Sequence, residues 1–222
     1  MGTIIVIAPH PDDETLGCGG TLLRHIANGD NVYWLIMTSI NGLDGYSESQ
    51  VEMRGNEIDN VSLKYGFKKV FHSSFATTEL DTLPKKEVIG FISKIFNMIQ
   101  PDTIYIPYKN DVHSDHEVVF SSAISCSKSF RHPYVHRVRV YETLSETEFD
   151  LSIDGSSFTP NLWVDISDFL ENKIEIMKLF NGEMKEHPFP RSIENIKALA
   201  TLRGATAGCI AAEAFISIKE VI

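Results

Sequence analysis

The sequence has little cysteine, little positive charge and no long apolar run, and each shortage excludes something. Its three cysteines, Cys18, Cys126 and Cys209, lie far apart with no Cys-x-x-Cys pair. That excludes a disulfide framework or thiolate zinc knuckle and fits reduced thiols in the cytoplasm. Twenty Lys and Arg stand against thirty Asp and Glu, a formal charge of −10. Like-charge repulsion then makes nucleic acid and anionic membrane poor general partners. The first apolar run, Thr3–Pro9, is too short for a membrane span and lacks a basic leader in front, so no membrane insertion or export signal is expected. Repeats, linkers and low-complexity tracts are also missing.

What is present is a 222-residue chain with 43% hydrophobic residues, enough for the core of one domain spanning residues 1–222. Short β-branched runs alternate with amphipathic stretches. Strands are expected at Thr3–Ala8, Asn31–Thr38, Lys69–His72, Thr103–Pro107, Arg137–Thr143 and Asn161–Asp165. Helices are expected at Thr15–Asn28, Gln50–Tyr65, Pro84–Ile99, His116–Ser127, Ser167–Asn181 and Ser192–Gly208. This alternation predicts an α/β, Rossmann-like fold, a mostly parallel sheet with helices on both faces. Such sheets bind ligands beyond the carboxyl ends of their strands.

Two polar clusters follow such strand ends. His10-Pro11-Asp12-Asp13-Glu14 follows the first strand, and Asp111-Val112-His113-Ser114-Asp115-His116 follows Thr103–Pro107. If these two strands are parallel neighbours, both clusters reach one edge and can share an ion. Two histidines and one carboxylate make a common catalytic zinc set with a position left for water. Helix capping is the competing reading: acidic groups favour a helix N-terminus, and Ser114 through Glu117 fits a capping box. Capping leaves His10, His113 and His116 without a reason. A receiver-like aspartate site would need oxygen ligands and Mg²⁺, which the histidines disfavour. A dinucleotide loop is disfavoured because Gly17-Cys18-Gly19-Gly20 is not G-x-G-x-x-G.

The stretch Ala8–Glu14, Gly17-Cys18-Gly19-Gly20 and His113-Ser114-Asp115-His116 resembles the PIG-L/LmbE family of zinc-dependent N-acetylglucosaminyl deacetylases. Supporting similarity runs through Arg54 with Glu57, PNLWVDIS at 160–167, PRS at 190–192, Arg203-Gly204 and Ala212–Phe215. The resemblance implies His10, Asp13 and His116 as Zn²⁺ ligands and Asp12 as general base. It implies His113 as oxyanion stabiliser or acid, and Asp115 as the carboxylate orienting an active-site histidine, read here as holding His113 in its imidazolium form. Arg54 is implied in substrate binding. Asp111 stands where some members carry tyrosine. Arg191 is a weaker substrate contact, and His72, His132, His136 and His187 carry no expected role. The loop 40–49 is the expected lid. The resulting expectation is a cytoplasmic zinc hydrolase removing the N-acetyl group from an N-acetylglucosamine-type conjugate, with a homo-oligomer compatible with it. A zinc amidohydrolase for another N-acyl compound, and a metal-retaining binding protein without turnover, are the alternatives.

Overall fold

In the computed structural model, which describes residues 1–41, 45–150 and 157–222, the strands are β1 (Thr3–Ala8), β2 (Asn31–Ile36), β3 (Lys69–His72), β4 (Thr103–Pro107), β5 (Arg137–Tyr141), β6 (Leu162–Asp165) and β7 (Ala212–Glu220). The helices are α1 (Asp13–Ala27), α2 (Glu48–Tyr65), α3 (Lys85–Ile99), α4 (Ser114–Cys126), α5 (Leu170–Met177) and α6 (Ile193–Ala207). The sheet order is β3-β2-β1-β4-β5-β7-β6. β1 to β5 pair in parallel, while β7 runs antiparallel to both β5 and β6. Local pattern does not predict β7 as a strand. Its stretch AEAFISIKE begins with small and acidic residues, and pairing on both sides supplies what local preference does not.

β1 is buried from Ile4 to Ala8 because both its faces are covered. Ile4, Val6 and Ala8 face one apolar cluster with Trp34, Tyr105 and Phe215. Ile5 and Ile7 face the other with Leu35, Ile104 and Phe96. The chain after β1 leads one way to β2 and the chain after β4 the other way to β5. Their shared border is therefore the switch point, where a crevice opens beyond the carboxyl ends.

α1 carries the first cluster and is broken at Cys18 (φ −145°). The freed amides of Gly20 and Thr21 donate to the Glu213 carboxylate at 2.9 and 2.7 Å, and Lys173 Nζ donates to Leu16 O and to Glu213. The glycine-rich stretch thus serves packing and an internal cap. A Cβ at Gly20 would lie 2.7 Å from Ile166 Cβ, so only glycine lets the helix approach this closely. Of the expected lid, residues 42–44 lie outside the described residues. Among the described residues no helix is long and apolar enough to cross a membrane.

Candidate active site

β1 ends at Ala8 and β4 at Pro107, side by side and parallel, so both polar clusters emerge at one edge. The turn from β1 into α1 passes through Asp12 at φ 139°, ψ −28°, a conformation that L-residues rarely adopt. The backbone N–H of Asp12 donates to Glu14 Oε2 at 3.1 Å, and Thr15 Oγ1 donates to Glu14 Oε1 at 2.5 Å. Glu14 is thus a buried brace for the turn, its carboxyl pushed up to about 8 by burial. The turn sends the neighbouring carboxylates apart: Asp13 towards the histidines, Asp12 towards Arg191.

Asp13 Oδ2 lies 3.3 Å from His10 Nδ1 and 3.3 Å from His116 Nε2. The other nitrogen of each ring is held by a different carboxylate. Asp115 Oδ2 meets His10 Nε2 at 3.0 Å, and Asp111 Oδ2 meets His116 Nδ1 at 2.7 Å. Thr147 Oγ1 in turn donates to Asp111 Oδ1 at 2.6 Å. Carboxylate support on the far nitrogen is the arrangement that orients a metal-binding imidazole. His10, Asp13 and His116 offer ligand atoms all within 4.8 Å of one another. His116 is fully buried, yet its Nε2 has no hydrogen-bond partner among the described residues. A buried nitrogen facing a carboxylate without a hydrogen bond calls for positive charge between them, a proton in the metal-free chain or a metal cation in its place.

The electrostatics show the same demand. Burial alone would raise the Asp13 carboxyl, but the His116 and His10 rings pull it well below the usual carboxylate range. Burial alone would lower His10, but Asp115 and Asp13 raise it to about 9, and the same two kinds of partner hold His116 well above its ordinary value. The donor set therefore fits a divalent metal. A second grouping, His10, His113 and Asp115, is also compact. There the Asp115 carboxylate is already committed, accepting from Thr78 N at 2.8 Å and Leu80 N at 3.0 Å as well as facing His10.

Two expectations change here. The sequence reading has Asp115 orienting His113 as an imidazolium; the Asp115 carboxylate instead faces His10, and His113 Nδ1 lies 4.0 Å away. What holds His113 is the backbone N–H of Asp115, which donates to Nδ1 at 3.1 Å. An accepting Nδ1 places the ring proton on Nε2, and burial together with the positive His10 lowers the ring below its ordinary value. His113 is thus a neutral N–H donor. It is also the cap of α4, a position the capping-box pattern assigns to Ser114.

The walls of the crevice carry further charge. Arg191 Nη1 contacts Asp12 Oδ2 at 2.8 Å and Glu183 Oε2 at 3.0 Å. Arg54 Nη2 contacts Glu183 Oε1 at 2.7 Å, and its Nη1 lies 3.3 Å from Glu57. Burial and the Asp13 charge push Asp12 up to about 7, and Arg191 opposes that rise. The crevice encloses about 670 Å³, with Tyr46, Gln50, Arg54, His113, Glu146 and Arg191 among its lining. His72 is also in its wall, fixed by Thr38 O at 2.8 Å. Glu183 and Glu146 carry no signal in the sequence, since neither sits in a motif.

Residues 5–127 match the PIG-L family, whose model is described as GlcNAc-PI de-N-acetylase. The match holds both clusters and covers more than half of the chain. The chain belongs to the PIG-L family. Over 213 residues this PIG-L chain is 27% identical to the diacetylchitobiose deacetylase of Thermococcus kodakarensis, covering 92% of the chain and 79% of that protein. A conserved protein of Thermus thermophilus superposes with a TM-score of 0.80 and 25% identity, covering 100% of this chain and 97% of that one. The 4-carboxy-2-hydroxymuconate hydratase of Pseudomonas putida superposes with a TM-score of 0.77 at 16% identity, covering 100% and 98%. A hydratase on the same PIG-L fold means that the backbone by itself does not fix the reaction.

Proposed function

We propose that this chain is a zinc-dependent hydrolase that removes the N-acetyl group from an N-acetylglucosamine-type sugar. The observation that carries it is the open His116 Nε2, which with His10 Nδ1 flanks Asp13 Oδ2 at 3.3 Å on each side, while the neighbouring carboxylate, Asp12, pairs with Arg191 outside that group. Two imidazoles and one carboxylate match a catalytic zinc site better than a Mg²⁺ or Ca²⁺ site, which favours oxygen donors. Bound there, zinc would polarise the amide carbonyl and lower the pKa of water. The diacetylchitobiose deacetylase relative supports the substrate class.

The residues divide the work. Asp12 accepts a proton from the attacking water as its oxygen bonds to the acetyl carbon. His113 donates its Nε2–H to the acetyl oxygen as negative charge gathers there; one such donor is worth about 2.7–4 kcal/mol. When the C–N bond breaks, the proton held by Asp12 goes to the departing nitrogen, giving acetate and an amine. Asp111 and Asp115 fix the rings of His116 and His10. Arg54 lines the sugar side of the crevice.

Acetate release should be measured from N-acetylglucosamine and N,N'-diacetylchitobiose, with the protein zinc-loaded, chelated and reloaded. Asp12→Asn should keep its zinc and lose roughly 10²–10⁴-fold in turnover. Zinc-loaded protein that releases no acetate from either sugar would sink the deacetylase reading. Undiminished turnover in Asp12→Asn would sink the base assignment alone.

A further inference from the structure

Arg54 and Arg191 are the two guanidiniums that line the crevice among the described residues, and no lysine joins them. A sugar conjugate bearing phosphate or carboxylate would need one of them. Neither is open. Glu183 lies between them and gives one carboxylate oxygen to each: Oε1 to Arg54 Nη2 at 2.7 Å and Oε2 to Arg191 Nη1 at 3.0 Å. Beyond this bridge Arg54 has Glu57 at 3.3 Å and Arg191 has Asp12 at 2.8 Å. Two positive groups are thus interleaved with three acidic ones. The ion-pair partners are all at most 23% exposed, so solvent screens them less than surface pairs.

The opposite need is visible elsewhere in the lining. Glu146 lines the same crevice, and its Oε2 is buried without a hydrogen-bond partner among the described residues. A carboxylate oxygen in that state calls for a donor, such as a sugar hydroxyl or an amine.

We infer that Glu183 is a specificity-determining residue: by neutralising Arg54 and Arg191 together it closes the site to anionic conjugates and leaves it selective for neutral or amine-bearing amino sugars, with Glu146 accepting from the sugar. This rests on the N-acetyl-sugar reading above and names the charge class of its substrate. Glu183 follows Gly182 after α5, and Arg191 precedes α6, so the connection between these helices sets the choice while the metal set follows β1 and β4.

The test is a matched pair that the enzyme does not turn over: glucosamine and glucosamine 6-phosphate, bound to zinc-loaded protein and followed by calorimetry. Wild type should bind glucosamine more tightly, by on the order of tenfold or more. Glu183→Gln should shift the ratio towards the phosphate by a similar factor, a gain that general damage to the fold cannot produce. Glu146→Gln removes one negative charge from the lining and should shift the ratio the same way, which keeps the test open if Glu183→Gln does not fold. Wild type binding the phosphate as well as or better than glucosamine would overturn the inference, as would a ratio unmoved in a folded Glu183→Gln protein. Acetate release without this discrimination defeats the inference and spares the function. Discrimination without acetate release does the reverse, and failure of both sugars to bind defeats both.

Discussion

Arg191 Nη1 lies 2.8 Å from Asp12 Oδ2, a contact spanning 179 residues of sequence that sets the state of the proposed base. Burial and Asp13 favour the protonated acid, and the guanidinium favours the carboxylate. A base must be ionised to act, so activity should rise with pH as Asp12 loses its proton. Replacing Arg191 by Gln removes the stabilising positive charge and should move that acidic limb to higher pH. Profiles of kcat/KM for wild type and Arg191→Gln check this. A limb that stays put or moves down would show that Arg191 does not act on Asp12.

Asp111 and Asp115 each support one histidine of the proposed ligand set from its far nitrogen. Asp111→Asn and Asp115→Asn should each weaken zinc binding by about 10–100-fold. Competition with a chromogenic chelator measures this without any substrate. Asp115→Asn should act through His10 and should cost little more in a protein already lacking the His10 ring. If Asp115 served His113 instead, zinc affinity would be unchanged and only turnover would fall.

The metal-free chain should be less stable at alkaline than at neutral pH. His10 is raised from 6.5 to about 9 in the folded chain. A raised histidine contributes stability that is fully present below 6.5 and is lost as pH climbs through about 9. Glu14, raised from 4.5 to about 8, has the same sign, because its buried carboxyl resists ionisation as pH rises towards 8. Together these contribute on the order of a few kcal/mol, since each tenfold change in proton affinity corresponds to about 1.4 kcal/mol, less whatever solvent screens. Urea unfolding of chelated protein at pH 6.5 and 9 should show a lower midpoint at 9. Zinc-loaded protein should show a smaller drop, because the cation replaces the protons. Equal midpoints for the chelated protein at both pH values would contradict the assignment.

The sequence by itself determined the parallel part of the sheet and the edge at which its two polar clusters meet. β1 and β4 are apolar runs without polar alternation, which only a doubly covered sheet can bury, and each ends in a polar cluster, so the strand ends and their side-chain chemistry were legible together. The helix that holds the glycines after the first cluster was legible; its break at Cys18 and the use of the glycines in close packing and in the Glu213 cap were not, because Glu213 lies 193 residues from Gly20. β7 escaped for a related reason: what makes it a strand is pairing to β5 and β6, contacts that local pattern does not record. Within the site, the residue types pointed to a metal and a base, but their pairing was decided only in three dimensions. Asp115 is two residues from His113 and 105 from His10, yet its carboxylate faces His10, because the start of α4 turns the backbone N–H of Asp115 towards His113 and its side chain across the crevice. Glu183 sits in no motif, and Arg191 only in the weakly marked PRS stretch. They reach Asp12 and Arg54 because α5 and α6 pack on the side of the sheet that carries α1, and that packing is a property of the core, not of any local stretch of chain.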